Sequence, residues 1–141
     1  MIALIDTCVI IDALQSREPF SSDAQKIFLY VSSNKFIGYI TSNSSTDIYY
    51  LIHKSTHSNK TSHDVLCKIF TLFKIADTSD EDCQNAVLSK TIDYEDALMI
   101  EAAKRINADC IVTRSIKDFT NSPITILSPS EFIKKIESNI Y

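Results

Sequence analysis

The stretch IALIDTCVIIDAL, residues 2–14, indicates the fold class, because a short apolar run ends abruptly at an acid and a helical pattern follows. The continuous apolar residues from Ile2 to Ile5 are typical of a strand that is buried on both faces of a parallel sheet. The residues from about Cys8 to Gln15 predict a helix soon after that strand. A strand that leads into a helix in this way is the beginning of a βαβ unit.

The same alternation of short apolar runs and helical patterns continues along the chain. Further strands are predicted at about 36–40, 73–76, 109–113 and 124–127. Helices are predicted at about 21–33, 43–53, 62–73, 78–90 and 93–106, with a last helix after Ser128 and a polar loop over 53–63. Because parallel strands need crossover helices, we expect one α/β domain, residues 1–141, with three α/β/α layers around a mostly parallel sheet.

The composition argues against several classes of protein. Of the 141 residues, 45% are hydrophobic and 23% are charged, close to the average of globular proteins. Acids outnumber bases by 18 to 14, so we do not expect the broad basic face that binds duplex DNA without sequence preference. No apolar stretch approaches the roughly 18 residues of a membrane-spanning helix, and the apolar start of the chain has no basic leader. The four cysteines form no CxxC pair, so we expect them to be reduced and the protein to be cytoplasmic.

Acidic residues follow several of the predicted strands, near the point where each strand ends. Asp6 follows the first strand directly, Asp47 lies in the helix after the second, and Asp118 follows the fourth. The carboxyl ends of parallel strands meet at one edge of a sheet, where α/β proteins bind ligands. Asp93 and Asp96 open a predicted helix at i, i+3 spacing, so we expect them to be neighbours on a helix start that faces the same edge.

Carboxylates that cluster in this way repel one another, and their pKa values rise unless a cation compensates. Oxygen ligands without paired thiols or imidazoles suit Mg²⁺ or Mn²⁺ better than Zn²⁺. Each acid also has an ordinary structural interpretation. Asp6 or Asp93 could cap the helix that follows it, and Asp96 could be a first-turn charge favoured by the helix dipole. The carboxylates alone therefore leave several Mg²⁺-dependent chemistries open.

Four segments, in order and spacing, resemble the PIN-domain nucleases, and the set looks closest to the small single-domain VapC-like toxins. The segments are LIDTCVIIDAL (4–14), TSNSSTDIYYLIHK (41–54), DYEDALMIEAAKR (93–105) and IVTRSIKDF (111–119). The resemblance implies an α/β/α fold and metal-dependent cleavage of RNA by hydroxide attack on the phosphodiester. It also implies a homodimer and, for a toxin of a toxin–antitoxin pair, a small antitoxin protein as partner.

The resemblance also implies roles for the acids. The catalytic residues it implies are Asp6, Asp47, Asp96 and Asp118. The same four residues, with Asp93 as an auxiliary ligand, would bind Mg²⁺ or Mn²⁺.

The sequence departs from the family pattern at three positions. Asp47 stands where the family usually has Glu, so its contact with a metal is expected through water. Cys8 replaces the usual Asn, and Ser115 replaces an acid or Asn. We therefore expect Asp118 to act in place of the missing acid at Ser115.

Basic residues on segments near the acids are candidate ligands for RNA phosphates. They are Arg17, Lys54, Lys60, Arg114 and Lys117. Ordinary surface charge is the alternative interpretation for each of them.

Two other functions stay open. A catalytically degenerate PIN module, which binds RNA or protein without cleavage, would account for Ser115, Cys8 and the short acid Asp47. A phosphoacceptor or phosphatase domain that uses Asp6 is disfavoured, because such sites place a second acid beside the first and Thr7 and Cys8 follow here.

Overall fold

A parallel five-stranded sheet organises the protein, as seen in a computed structural model whose described residues are 1–139. The strand order is β3-β2-β1-β4-β5, and each neighbouring pair is parallel. The strands are β1 (Ile2–Ile5), β2 (Ile37–Thr41), β3 (Lys74–Ala76), β4 (Cys110–Val112) and β5 (Thr125–Leu127). The predicted parallel sheet is therefore confirmed.

Helices cover both faces of this sheet. They are α1 (Thr7–Leu14), α2 (Ser21–Ser32), α3 (Ser42–Thr56), α4 (Asn59–Leu72), α5 (Asp80–Leu88), α6 (Tyr94–Arg105) and α7 (Pro129–Ser138), with a short 3-10 helix at Ile116–Phe119. No helix among residues 1–139 is long and apolar enough to cross a membrane.

The strand period of two divides the core into two layers. Ile5 points to one face, where it packs in a cluster with Ile10 of α1 and Phe132 of α7. Leu4 points to the other face, where it packs in a cluster with residues of α6 that include Met99. Successive strand residues alternate between faces, so one apolar run serves both layers. The predicted α/β/α architecture is confirmed.

The predicted loop over 53–63 is mostly helical, which corrects the sequence-based boundary. Helix α3 continues to Thr56 and α4 begins at Asn59, so only two residues separate them. His57 adopts a left-handed φ of 53°, which ends α3, and the Ser58 side chain accepts a hydrogen bond from the Thr61 N–H, which caps α4. The polar residues of this stretch are the exposed faces of helix ends, which polarity alone does not distinguish from a loop.

Helix α5 begins two residues after the predicted start at about residue 78, and it opens with a capping box. Ser79 and Asp82 form the box, while the Thr78 hydroxyl donates to Oδ1 of Asn43 at 2.9 Å. Thr78 therefore connects the start of α5 to the start of α3. At α7 the predicted cap at Ser128 is confirmed.

Candidate active site

Asp6 lies at the carboxyl end of the central strand β1 and at the N-cap position of α1. Its carboxylate makes no cap hydrogen bond, so the structural interpretation of this side chain as a cap does not hold. Instead Oδ2 accepts hydrogen bonds from Oγ1 of Thr113 at 2.7 Å and from Sγ of Cys8 at 3.3 Å. Thr113 is fully buried at the end of β4, so the neighbouring strand holds the Asp6 carboxylate in place.

Cys8 is a neutral hydrogen-bond donor in this site. Burial, followed by the charge of Asp6, raises the pKa of the Cys8 thiol to about 11. The thiol therefore keeps its proton at neutral pH and donates it to Asp6. A donor thus remains at the position where the family resemblance implies an Asn amide.

A short hydroxyl network joins the start of α1 to the start of α3. The Thr7 hydroxyl donates to Oγ of Ser44 at 2.8 Å, and Ser44 lies 3.0 Å from Oγ1 of Thr41. Thr41 and Ser44 are buried, so these contacts fix the helix starts that follow β1 and β2. Asp6 and Asp47 lie on the two segments that this network connects.

Asp93 and Asp96 open α6 as the sequence predicts. Oδ1 of Asp93 accepts a hydrogen bond of 3.1 Å from the Asp96 N–H, so Asp93 does cap its own helix. Burial, and then the charges of Asp93, Asp6 and Asp118, raise the pKa of Asp96 to about 7. Carboxylates from three segments therefore lie close enough to act on one another electrostatically.

Glu95 is a further member of this acid cluster, and the sequence analysis missed it. Burial, and then the charges of Asp47, Asp6 and Asp93, raise the pKa of Glu95 above its ordinary value. Its sequence position offers no signal beyond another acid in a first helical turn. The first turns of α3 and α6 line one cleft, and this tertiary arrangement brings Glu95 near Asp47.

Two adjacent open clefts flank the first turn of α6. The first, which we call the α3 cleft, is lined by Ser42, Asn43, Thr46, Asp47, Tyr94, Glu95 and Leu98. The second, which we call the 3-10 cleft, is lined by Ile92, Asp93, Asp96, Lys117, Asp118 and Thr120. Glu95 and Asp96 enter different clefts because successive helical residues point about 100° apart.

The chemistry of the six acids fits a hard divalent cation. Within residues 1–139, none of Asp6, Asp47, Asp93, Glu95, Asp96 and Asp118 forms a salt bridge. Their oxygens are the ligands that Mg²⁺ and Mn²⁺ prefer. Across the same residues, no three His, Cys, Asp or Glu side chains are arranged to hold a metal ion as they stand. The donor set fits by charge and ligand type, and joint coordination requires side-chain movement.

The basic candidates have different surroundings. Lys117 lines the 3-10 cleft beside three acids, whereas the Arg114 guanidinium pairs with the buried carboxylate of Asp12. Arg17 donates to its neighbour Gln15. Asp12 and Arg114 are thus partners of each other, a contact between residues 102 positions apart that the sequence did not reveal.

The other two basic candidates lie on α3 and α4. Lys54 is exposed in the last turn of α3, and Lys60 pairs with Asp64 one turn further along α4. RNA binding by any of the five basic residues stays a prediction.

The fold and these acids define a class of α/β/α domains with a carboxylate cluster at the carboxyl edge of a parallel sheet. A family model described as PIN domain matches residues 3–117. The chain belongs to the PIN-domain family, the nuclease family that its sequence motifs resemble.

Solved structures of toxin–antitoxin proteins are similar in fold. VapBC2 from Rickettsia felis, bound to a promoter DNA fragment, has a TM-score of 0.69 at 20% identity, covering 91% of this chain and 98% of that chain. A toxin–antitoxin complex from Klebsiella pneumoniae gives 0.67 at 20% identity, covering 90% and 97%. VapC20 from Mycobacterium tuberculosis, a toxin that cleaves the sarcin-ricin loop, gives 0.61 at 9% identity, covering 77% and 86%. A comparison with curated proteins gave no match.

Proposed function

We propose that this protein is a metal-dependent endoribonuclease that acts as the toxin of a toxin–antitoxin pair. The observation that supports the proposal most is the cluster of carboxylates around Asp96, where burial, and then the charges of the neighbouring acids, raise the pKa of Asp96 to about 7. Acids that cluster in this way and form no salt bridge within residues 1–139 favour a site that works with a bound cation.

The residues that would hold Mg²⁺ or Mn²⁺ are Asp6, Asp47, Asp93, Asp96 and Asp118, with Glu95 added from its place in the α3 cleft. When bound, such an ion supplies hydroxide from water near neutral pH and offsets the charge that develops on a phosphodiester. Asp118 lines the 3-10 cleft with Asp96, whereas Asp47 lines the α3 cleft. The proposal therefore assigns both clefts to one site.

The chain's own side chains orient the ligands and the substrate. Thr113 and Cys8 hold the Asp6 carboxylate by donating hydrogen bonds to one of its oxygens. Lys117 places a positive charge in the 3-10 cleft, where it suits an RNA phosphate. Hydrolysis joins a water oxygen to phosphorus, breaks one phosphorus–oxygen ester bond and delivers a proton to the leaving oxygen.

We propose RNA as the substrate and two protein partners, a second copy of the chain and a small antitoxin. The similar structures from R. felis and K. pneumoniae are toxin–antitoxin complexes, which supports the second partner. Val87, Leu88 and Ile92 are exposed apolar side chains beside α6, which is consistent with a surface that associates. All four cysteines are free, in keeping with the proposed cytoplasmic location.

A catalytically degenerate PIN module is the second candidate. The observation that favours it is that the carboxylates of residues 1–139 form no ready group of three metal ligands. Ser115 in place of the usual acid supports the same alternative.

Cleavage of a mixed RNA substrate, measured with and without Mn²⁺ or Mg²⁺, separates the two candidates. Asp6→Asn and Asp96→Asn remove one charge each from the cluster, so cleavage should nearly vanish while the fold survives. Asp80→Asn is the matched control, because Asp80 is an exposed acid on α5 that bonds only to Gln84. Undiminished cleavage in EDTA, or in both site variants, contradicts the proposal, and metal-independent RNA binding without cleavage supports the degenerate module.

A further inference from the structure

We propose that the buried ion pair between Asp12 and Arg114 is a positioning device for the acid site. It holds the segment 113–118, which contains Thr113 and Asp118, against α1. The expected effect of the pair on metal binding rests on the proposed function. Arg114 is then a positioning residue rather than a ligand for RNA phosphate.

The contacts of this pair leave little freedom to the guanidinium. Nε of Arg114 lies 2.5 Å from Oδ2 of Asp12, and a terminal nitrogen donates to Oδ1 at 3.2 Å. The Asp12 side chain is only 1% exposed. The Arg114 guanidinium also lies over the ring of Phe20, 4.1 Å from its centroid. One hydrogen bond, one close ionic contact to the same carboxylate and a stacked ring limit both the position and the plane of the group.

The pair joins two segments that are already connected at the acid site. Asp12 lies on α1, the helix whose N-cap residue is Asp6. Arg114 follows Thr113, which donates the 2.7 Å hydrogen bond to Asp6. Helix α1 and the segment 113–118 are therefore linked at two places, so neither can rotate about a single contact.

Hydrogen bonds extend this constraint from Arg114 towards Asp118. The Ser115 N–H donates to Oγ1 of Thr113 at 3.0 Å, and the Asp118 N–H donates to the Ser115 carbonyl at 3.0 Å. Asp118 itself is exposed in the 3-10 cleft. Its carboxylate thus depends on the backbone of its own segment for its place near Asp96.

Stability alone does not explain a pair of this kind. A buried ion pair is often no more stabilising than apolar side chains of similar volume, because both charges lose their hydration. Apolar side chains in the same place would not impose a preferred orientation on the segment. We infer that the pair is used for its directional constraint on the segment 113–118.

The test replaces both partners at once, with Asp12→Leu and Arg114→Met in one chain. We expect this double variant to melt at or above the temperature of the wild type, since no charge is left unpaired. The amides of Ser115 and Asp118 should nevertheless exchange with deuterium faster. Mn²⁺ affinity, measured by calorimetry, should fall roughly 10- to 100-fold, as for residues that orient metal ligands, and kcat should fall more than KM rises.

Arg105→Gln is the matched control. Arg105 pairs with Asp77 and Asp82. The Arg105 side chain is 34% exposed, compared with 29% for Arg114. The Asp82 side chain is 5% exposed, compared with 1% for Asp12. Because this pair lies outside the segment 113–118, the variant should lower the melting temperature yet leave exchange at Ser115 and the Mn²⁺ affinity unchanged.

If the double variant fails to fold, Arg114→Lys takes its place, because it keeps the charge but removes the planar two-point contact. Wild-type exchange at Ser115 and Asp118, together with wild-type Mn²⁺ affinity, would overturn the inference. If the wild type itself neither binds Mn²⁺ nor cleaves RNA, the proposed function fails. The amide-exchange comparison then still decides whether the pair positions the segment.

Discussion

Thr113 donates a hydrogen bond of 2.7 Å from its side chain to the Asp6 carboxylate, across 107 positions of sequence. The contact follows from the pairing of β1 with β4, where Ile5 is the register partner of Val112. The residues that follow each strand are therefore neighbours. The first acid of the candidate site is held by the strand beside it as well as by Cys8 of its own helix.

Thr113→Val tests this contact, because valine keeps the shape of the side chain and removes the donor. The hydroxyl donates to Asp6 and accepts from the Ser115 N–H, so loss of these two hydrogen bonds should lower the free energy of unfolding by roughly 0.5–1.5 kcal/mol for each. We also expect weaker Mn²⁺ binding in calorimetry, since Asp6 loses its fixed orientation. Thr71→Val is the control, as the exposed Thr71 hydroxyl bonds only within α4. Unchanged Mn²⁺ affinity in Thr113→Val would show that Asp6 is not a ligand that needs orienting.

Metal binding should stabilise the fold, because it takes place only in the native state. The gain is about 2.7 kcal/mol when the metal is in hundredfold excess over its Kd. Asp6→Asn should raise the melting temperature without metal, since it removes one of the charges that act on Asp96, and it should reduce the further rise that Mn²⁺ produces. A melting temperature that neither Mg²⁺ nor Mn²⁺ changes up to millimolar concentrations would contradict the proposed metal site.

The pKa of Asp96 predicts a pH dependence of stability in the metal-free protein. The folded state raises this pKa from 3.8 to about 7, so the folded state binds the proton more tightly than the unfolded state does. The stabilisation of the folded state by this proton is fully present below the pKa of the unfolded state. It is lost as the pH rises through the pKa of the folded state. Asp96→Asn should therefore raise the melting temperature more at pH 8 than at pH 5. Equal shifts at the two pH values, measured in EDTA, would indicate that Asp96 titrates normally.

Ser115 and Asp118 should share one role in metal binding. Asp118 lies three positions beyond Ser115 and is exposed, so its contact with the metal is expected through water. A weak site of this kind should favour Mn²⁺, because Mg²⁺ gives up its waters reluctantly. Ser115→Asp should tighten Mn²⁺ binding in calorimetry, and Asp118→Asn should weaken it.

The combined variant, Ser115→Asp with Asp118→Asn, should recover most of the affinity that Asp118→Asn loses. Titration of Asp118→Asn that matches the wild type would discard this idea. Asp118 would then be a surface acid of the 3-10 helix, and the ligands would come from fewer segments.

Toxicity and self-association follow from the proposed partners. Expression of the chain alone should slow the growth of a bacterial host, and the Asp96→Asn form should not, because it lacks a proposed ligand. Light scattering should show a dimer for both forms, since the substitution leaves the exposed apolar side chains Val87 and Leu88 of α5 unchanged. A monomer that is harmless at high expression counts against the toxin assignment.

The parallel strands were predictable from the sequence, and with them the edge of the sheet at which the acids meet. The run from Ile2 to Ile5 ends at Asp6, and every parallel strand delivers its carboxyl end to one side of the sheet. This local pattern was enough to place Asp6, Asp96 and Asp118 near one another. The charges of Asp6 and Asp118 both raise the pKa of Asp96. Polarity misassigned 53–63, because exposed helix ends and loops have the same composition.

Tertiary structure alone decided which side chains meet across layers. Glu95 joins the acids because the starts of α3 and α6 line one cleft, and Arg114 meets Asp12 because β4 lies beside the strand that precedes α1. Periodicity describes which face of an element is buried, but it has no information on the rotation of one element against another. That rotation comes from the packing of the whole core, and it brings Arg114, a predicted RNA ligand, against the buried carboxylate of Asp12.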